Sequence, residues 1–317
     1  MIRLKHILLL LYFLVFIGAG VFAQSGKDTT VHVVEFKWSN DFIFATDRYF
    51  SNGLELNYYA PFMQKSPVRY ILLPNKKNDV VWNAISFTHH FFTPIELFSY
   101  DVIKNDRPFA SYFLIGHRKI SLNKSRLLKK QSELQIGVLG RYSGGKSIQN
   151  SIHEIMWTSK PAKGWGNQIQ SDLAINYSVL IEKGFVNSRT FILSGLIDAK
   201  LGVPYTYGGI GIKAMAGRID GYFKDIGVGR NKEWQMYVFG EVRGKYVAYN
   251  ATLQGGLLNH NNIHVINDIN RFLTEIETGI VISHKNLSLK VGQHFISPEF
   301  NGGLKHKWGY ATLKVGF

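Results

Sequence analysis

Polar and apolar residues alternate along this chain with a period of two in twelve separate stretches, and no other feature restricts its fold so strongly. The stretches cover 32–43, 48–60, 82–92, 108–121, 131–143, 168–184, 189–201, 204–216, 232–248, 271–283, 286–296 and 305–317. Within the second, Leu54, Leu56 and Tyr58 share one face while Ser51, Gly53, Glu55 and Asn57 share the other. Leu134, Ile136 and Val138 line up in the same way, and the segment from Leu287 to Gly292 repeats the pattern. Successive side chains of a strand point to opposite faces, so each stretch reads as an amphipathic strand and the chain as all-β. Two architectures satisfy this: a sandwich with the apolar faces in a core, or a barrel with them turned to lipid.

The two ends of the chain choose between them. Arg3, Lys5 and His6 precede an apolar run from Ile7 to Ile17, and Val21-Phe22-Ala23 is a small-x-small cleavage site. Residues 1–23 therefore read as a secretory signal peptide and 24–317 as one mature domain. The run is short for the ~20 residues a membrane helix needs, and no later run is long enough. No cysteine follows the cleavage site, which excludes a lipoprotein. At the other end Ala311, Leu313, Val315 and the final Phe317 share a face. A last amphipathic strand closed by Phe has the form of the recognition signal of outer-membrane barrels. The expectation is a transmembrane antiparallel β-barrel of about twelve strands. Leu54, Leu56 and Leu313 should face lipid, and Glu55, Asn57 and Lys314 the lumen. An even count puts both termini in the periplasm and the longer loops outside, after odd-numbered strands. Segments 60–81 and 217–231 break that rule, being long where short turns are expected.

Composition agrees. Aromatics make up 14% of the chain with only 8 prolines, which suits long regular strands with interfacial girdles. The formal charge is +15, or +13 once Arg3 and Lys5 leave with the leader. The basic residues are scattered, and neither zinc spacing nor a Gly-rich phosphate loop is present. Nucleic acid is not an expected partner, and lipid phosphate is the natural anion for an exported chain.

Four polar clusters stand out: Asn40-Asp41, Asp47-Arg48 with Ser51, Asn105-Asp106-Arg107-Pro108, and Gln149-Asn150 with His153. They are distant in sequence, yet the topology brings all of them to one rim, which is what a site requires. Asp47-Arg48 also fits a plain hairpin turn, and Asp106-Arg107 a structural bridge at a strand start.

These residues resemble, in order along the mature chain, the outer-membrane lipid A 3′-O-deacylases. Asn40-Asp41 is similar to the family's Asn-Asp pair, and Asp47 to Gly53 to its Asp-Arg…[Thr/Ser]-x-Gly element, with Ser51 at the functional hydroxyl. Phe92-Thr93-Pro94 followed by Asp106-Arg107-Pro108-Phe109-Ala110 resembles its aromatic-[Ser/Thr]-Pro…Asp-Arg-Pro signature. Gln149-Asn150-Ser151-Ile152-His153 resembles the region of its catalytic histidine, and Ala251-Thr252-Leu253-Gln254-Gly255 is similar to a further segment. One departure concerns substrate contact. Family members carry a basic residue soon after the Ser-Pro element, whereas here none follows Pro94 until Lys104.

The resemblance implies a monomeric outer-membrane enzyme that hydrolyses the 3′-linked acyloxyacyl ester of lipid A with Ca²⁺. Asn40, Asp41, Ser51 and His153 then form the catalytic and calcium group, and Lys104, Asp106, Arg107 and Asn150 bind substrate or support the site. The residue types suit that chemistry. His153, alone among histidines in the clusters, can accept a proton from water. Asp41 and Asn40 offer a carboxylate and an amide oxygen to a hard cation, although adjacent strand residues face apart unless the strand is interrupted. Ser51 orients the water or the oxyanion. Two rival functions remain: an outer-membrane phospholipase with Ser51 as nucleophile and Asn150 or Asn40 orienting His153, and a non-catalytic pore or structural barrel with no such convergence.

Overall fold

A computed structural model describes residues 32–41, 44, 46, 48–156, 161–229 and 233–317, the side chains of 152–156 excepted. The expected signal peptide, Asp47 and the His153 side chain lie outside the described residues. The strands are β1 (Val33–Asn40), β2 (Tyr49–Tyr59), β3 (Val80–Thr93), β4 (Ala110–Asn123), β5 (Leu128–Leu139) and β6 (Asp172–Asn187). The second half contributes β7 (Phe191–Gly202), β8 (Tyr205–Arg218), β9 (Gln235–Asn250), β10 (Phe272–His284), β11 (Leu287–Ile296) and β12 (His306–Gly316). Helix α1 (Gly145–Met156) and the short α2 (Ala251–Gln254) sit in loops.

Each strand pairs antiparallel with its sequence neighbours, and β1 pairs with β12 from Val33↔Gly316 to Asn40↔Gly309, so the sheet closes as a twelve-stranded barrel. Closure satisfies the backbone of every strand, the condition for β-structure to cross a bilayer. We call the end holding Val33 and Gly316 the terminal rim and the opposite end the far rim.

The alternation sorts the faces as expected. Leu56, Ile136, Ile175, Ile197, Ile210 and Ile212 are all exposed on the outside, an arrangement that lipid favours and water does not. Inside, Glu55 accepts from Lys37 at 3.1 Å, Asn57 donates to Glu35 at 3.0 Å, and Lys314 pairs with Glu35 at 2.8 Å. Arg118–Glu133 and Lys245–Glu275, at 2.8 and 2.7 Å, extend this network of lumen charges.

The two anomalously long connections prove to be built elements, and the strand count stays at twelve. Residues 219–228, between β8 and β9, fold into the lumen at the terminal rim. Ile219 and Phe223 pack there against Met215, Phe239, Val281 and Tyr310, and Ile226 and Val228 against Val33, Tyr59, Ala84 and Leu122. Burying one such side chain contributes about 1.5–3 kcal/mol, so four of them anchor a plug that the ion-paired lumen alone would leave open. Segment 61–79, between β2 and β3, lies instead on the outer wall.

Candidate functional site

β1 leaves the sheet at Asn40 and the chain bends at Asp41. The bend folds around that residue: its carbonyl accepts from Phe44 N–H at 2.9 Å and from the Thr46 hydroxyl at 3.3 Å, and its carboxylate from Arg48 N–H at 2.9 Å. Asp41 is buried by this turn. Because the strand ends between them, Asn40 and Asp41 escape the strict alternation that would point them apart.

β2 starts with Tyr49 at φ 61° and carries a bulge at Ser51, where the pairing steps from Phe50↔Phe92 to Asn52↔Phe91. The bulge changes what the strand shows to each side. Phe50 packs in the lumen against Trp308, His90 and Phe92 at ring distances of 4.7, 5.1 and 5.5 Å. Gly53 is again a lumen position, so Ser51 and Asn52 stand together on the outward side. Asn52 lies directly opposite Asn40 in the β1–β2 ladder, and cross-strand neighbours share a face. The Ser51 hydroxyl makes only a long bond, 3.4 Å, to the Phe91 carbonyl. The Asn52 side-chain oxygen is buried with no hydrogen-bond partner.

α1 covers the wall beside these residues. Phe91, outward on β3, is enclosed by Leu97, Phe109, Ala162 and Trp165, with Ile148 of α1 against them. The start of the helix approaches β4 so closely that a Cβ at Gly145 would collide with the Ser111 side chain. Ser111 itself bonds to Ser143 at 2.5 Å. Two of the motif residues hold the helix to its following loop: Gln149 accepts from the Trp165 indole at 2.7 Å and Asn150 from Ala162 N–H at 3.2 Å. His153 is one turn beyond Gln149 on the same helix.

Asp106 and Arg107 have a different place. Asp106 accepts from Ile95 N–H at 2.6 Å and Arg107 N–H at 2.8 Å, fixing its own loop. The Arg107 guanidinium is fully buried over the Phe92 ring, donating to Glu299 at 2.9 Å and to the Thr252 hydroxyl at 2.8 Å. Asn250 caps α2 by accepting from Thr252 N–H at 3.0 Å, and it donates to Glu299 at 3.2 Å. Arg107 thus ties three far-rim loops together, and its charge is already paired. Two motif segments 145 positions apart meet in this one contact. Lys104 is exposed on the loop between β3 and β4.

The far rim therefore gathers Asn40, Asp41, Ser51 and the loop carrying α1, and puts Asp106 and Arg107 beneath them as support. Reading the sequence alone misses Asn52, whose only signal is its place one residue past Ser51. It also misses Trp165 and Glu299, which no motif marks. The lumen holds a separate cavity of about 130 Å³ lined by Glu55, His90, Tyr112, Arg118, Glu133 and Lys200. That is room for a few waters and not for an acyl chain. Among the described residues no group of three or more His, Cys, Asp or Glu could hold a metal. Asn40, Ser51 and Asn52 present oxygen atoms on the outward face, and the Asp41 carboxylate lies in the bend that follows Asn40.

The family model for the outer membrane protein LpxR matches residues 8–317. The chain belongs to the LpxR family. This agrees with the resemblance its motifs carry, and the outer membrane is its location. Among solved structures, LpxR from Salmonella typhimurium aligns with a TM-score of 0.72 at 18% identity, covering 89% of this chain and 99% of that one. The β domain of the Bordetella autotransporter BrkA gives 0.49 at 7% identity, covering 91% and 99%. The translocator domain of NalP from Neisseria meningitidis gives 0.41 at 8%, covering 97% and 94%. A search of curated proteins gives no match.

Proposed function

We propose that this LpxR-family chain is a lipid A 3′-O-deacylase that works at the far rim, on the leaflet beside it, with both termini in the periplasm. One observation carries the reading: Asn40, Ser51 and Asn52 stand on the outward side of the wall beside α1, the latter two buried there, and not in the lumen. A pore or a lumenal enzyme has no use for Ser51 and Asn52 on that side, and the lumen is plugged and ion-paired.

In the reaction His153 takes a proton from water, and the water oxygen attacks the carbonyl carbon of the 3′ ester. The bond from that carbon to the sugar oxygen breaks, and the imidazolium returns its proton to the departing alkoxide. The products are a free 3-(acyloxy)acyl acid and a 3′-hydroxyl on lipid A. Asn40, Asp41 and Asn52 fit a calcium ion, because the buried Asn52 oxygen has no hydrogen-bond donor and hard cations take oxygen ligands. When bound there, calcium supplies Lewis-acid stabilisation of charge on the ester oxygen. Ser51, held only weakly by a backbone carbonyl, orients the water or the oxyanion; its bond to Phe91 gives no support to a serine nucleophile. Lys104, exposed on the loop between β3 and β4, contacts a substrate phosphate in place of the basic residue missing after Pro94.

The test is mass spectrometry of lipid A from envelopes with and without the protein. Loss of the mass of one acyloxyacyl group is expected, and unchanged lipid A in active envelopes with added calcium would overturn the proposal.

A further inference from the structure

The outer wall is not apolar down to the terminal rim. On β3, β4 and β5, Asn83, Lys119 and Ser132 stand side by side in register, facing outward just below the row of Ile85, His117 and Leu134. Elsewhere such a row would meet hydrocarbon. Here segment 61–79 lies across it, in two 3₁₀ turns, Pro61–Lys65 and Pro67–Tyr70, and an extended tail. Ser66 bonds His117 at 3.2 Å, and Ser132 accepts from Leu73 N–H at 3.0 Å. The Ile71 carbonyl accepts from Tyr177 of β6 at 3.0 Å, and the Lys130 ammonium donates to the Pro74 carbonyl.

The outer surface of this segment is both apolar and cationic. Phe62, Tyr70 and Ile71 are exposed, as are Lys65, Arg69, Lys76 and Lys77. Its one acid, Asp79, already accepts from Asn123 at 2.7 Å and from Lys76 N–H at 2.9 Å. Arg69 is set in place by the Gln64 carbonyl and the Tyr70 hydroxyl, each at 2.6 Å. Beneath lies Lys119, only 8% exposed, with no hydrogen bond or salt bridge among the described residues and with Lys130, Arg69 and Asp79 as its charged neighbours, two further cations to a single acid. Like charges brought together around a buried ammonium repel one another, and an anion between them relieves that cost.

We propose that segment 61–79, with Lys119 and Lys130, binds the phosphate headgroup of anionic glycerophospholipids in the leaflet at the terminal rim. Phe62, Tyr70 and Ile71 enter the interfacial zone, as aromatic side chains do at membrane boundaries, and the cations reach the phosphate from the water side. This surface lies at the opposite end of the wall from Ser51, so it acts independently of the deacylase site.

The full chain, purified in dodecylmaltoside, is titrated with phosphatidylglycerol or with phosphatidylcholine of the same acyl chains, and retained lipid is counted by native mass spectrometry. Wild type should retain phosphatidylglycerol at least tenfold better. R69Q/K119Q should weaken that retention about thirtyfold, since each cation near an anionic surface contributes about a factor of five. K65Q/K76Q/K77Q changes exposed side chains only, leaves the fold intact, and should lose retention by a larger factor. Equal retention of the two lipids, or unchanged retention in the folded triple variant, overturns the proposal. So does displacement of phosphatidylglycerol by an equal concentration of inorganic phosphate, which would mark a site for the free ion.

Discussion

The lumen and the outward face of the far rim are both polar, yet they are built on opposite principles. In the lumen a charge meets its counter-charge: Lys290 pairs with Glu277 at 2.7 Å, and Arg243 with Asp198 at 3.4 Å. Tyr310 and Lys290 converge on the same carboxylate. On the outward face under α1, by contrast, the Asn52 oxygen is left without a donor and the Ser51 hydroxyl is held by one long bond. A buried polar atom without a partner costs roughly 1–3 kcal/mol. In the lumen the Asn57 and Asp198 oxygens that lack a donor belong to side chains already held through their other polar atom, by Glu35 and by Arg243 and Tyr207. The difference separates polar residues that hold the barrel from the polar residues to which the proposed calcium and substrate are assigned.

The largest expected effect tests that division at its centre. His153→Ala should lower turnover by roughly 10²–10⁴-fold, the usual contribution of a general base, with lipid A binding retained. The wild-type rate should fall as the pH is lowered, because imidazolium cannot accept a proton. Release of the acyloxyacyl chain in detergent, followed by mass, reads both. Near wild-type turnover in His153→Ala would remove the assigned base. Asp41→Ala should abolish calcium stimulation while the barrel still resists unfolding; full wild-type activity in a chelator would remove calcium from the scheme.

Asn52→Ala sharpens the comparison. Loss of its oxygen should raise the calcium concentration needed for half-activity by roughly 10–100-fold, in line with the loss of a supporting group at a metal site. No change in that concentration would return Asn52 to the wall as an ordinary buried amide.

Arg107→Ala attacks the support and not the chemistry. Removing one member of a buried pair costs about 3–5 kcal/mol, because Glu299 is left uncompensated. Protease cutting in the loops around Asp106 and Thr252 should accelerate before the barrel melts, and Arg107→Lys should not rescue it, lacking the two-pronged donor set. Equal protection in mutant and wild type would contradict the buttress.

The smallest effect is expected in the lumen. Replacing Lys290 by Met together with Glu277 by Gln removes a pair as a unit, which is close to neutral for stability, about 1 kcal/mol either way. Turnover should stay within twofold. A large loss of activity would mean that the lumen shares in catalysis and that the division between the two regions is wrong.

Much of this was legible in the residues. Alternation placed all twelve strands within a few positions of their observed bounds, and it sorted Leu56 outward and Glu55 inward, because the period of two is a property of the extended backbone itself. Asn40, Asp41 and Ser51 were legible as a group at one rim for the same reason: strand order alone brings those ends together. Other features depended on contacts that periodicity does not encode. Segments 61–79 and 219–228 look alike as long connections, but one coats the wall and the other plugs the lumen. Arg107 carries a motif that fits substrate contact as well as a bridge, and only Glu299 and Thr252, distant in sequence, decide for the bridge.

The sequence by itself determined the barrel, its strand count, the two faces of its wall and the rim where its motifs meet, since each follows from local backbone geometry and chain order. Tertiary structure alone decided which side of the wall Ser51 and Asn52 face. A single extra residue at Ser51 turns Ser51 and Asn52 outward together, and Gly145, having no Cβ, lets α1 close over the wall beside them. Both are matters of packing between segments far apart in the chain, where one atom more or less changes which face a side chain reaches.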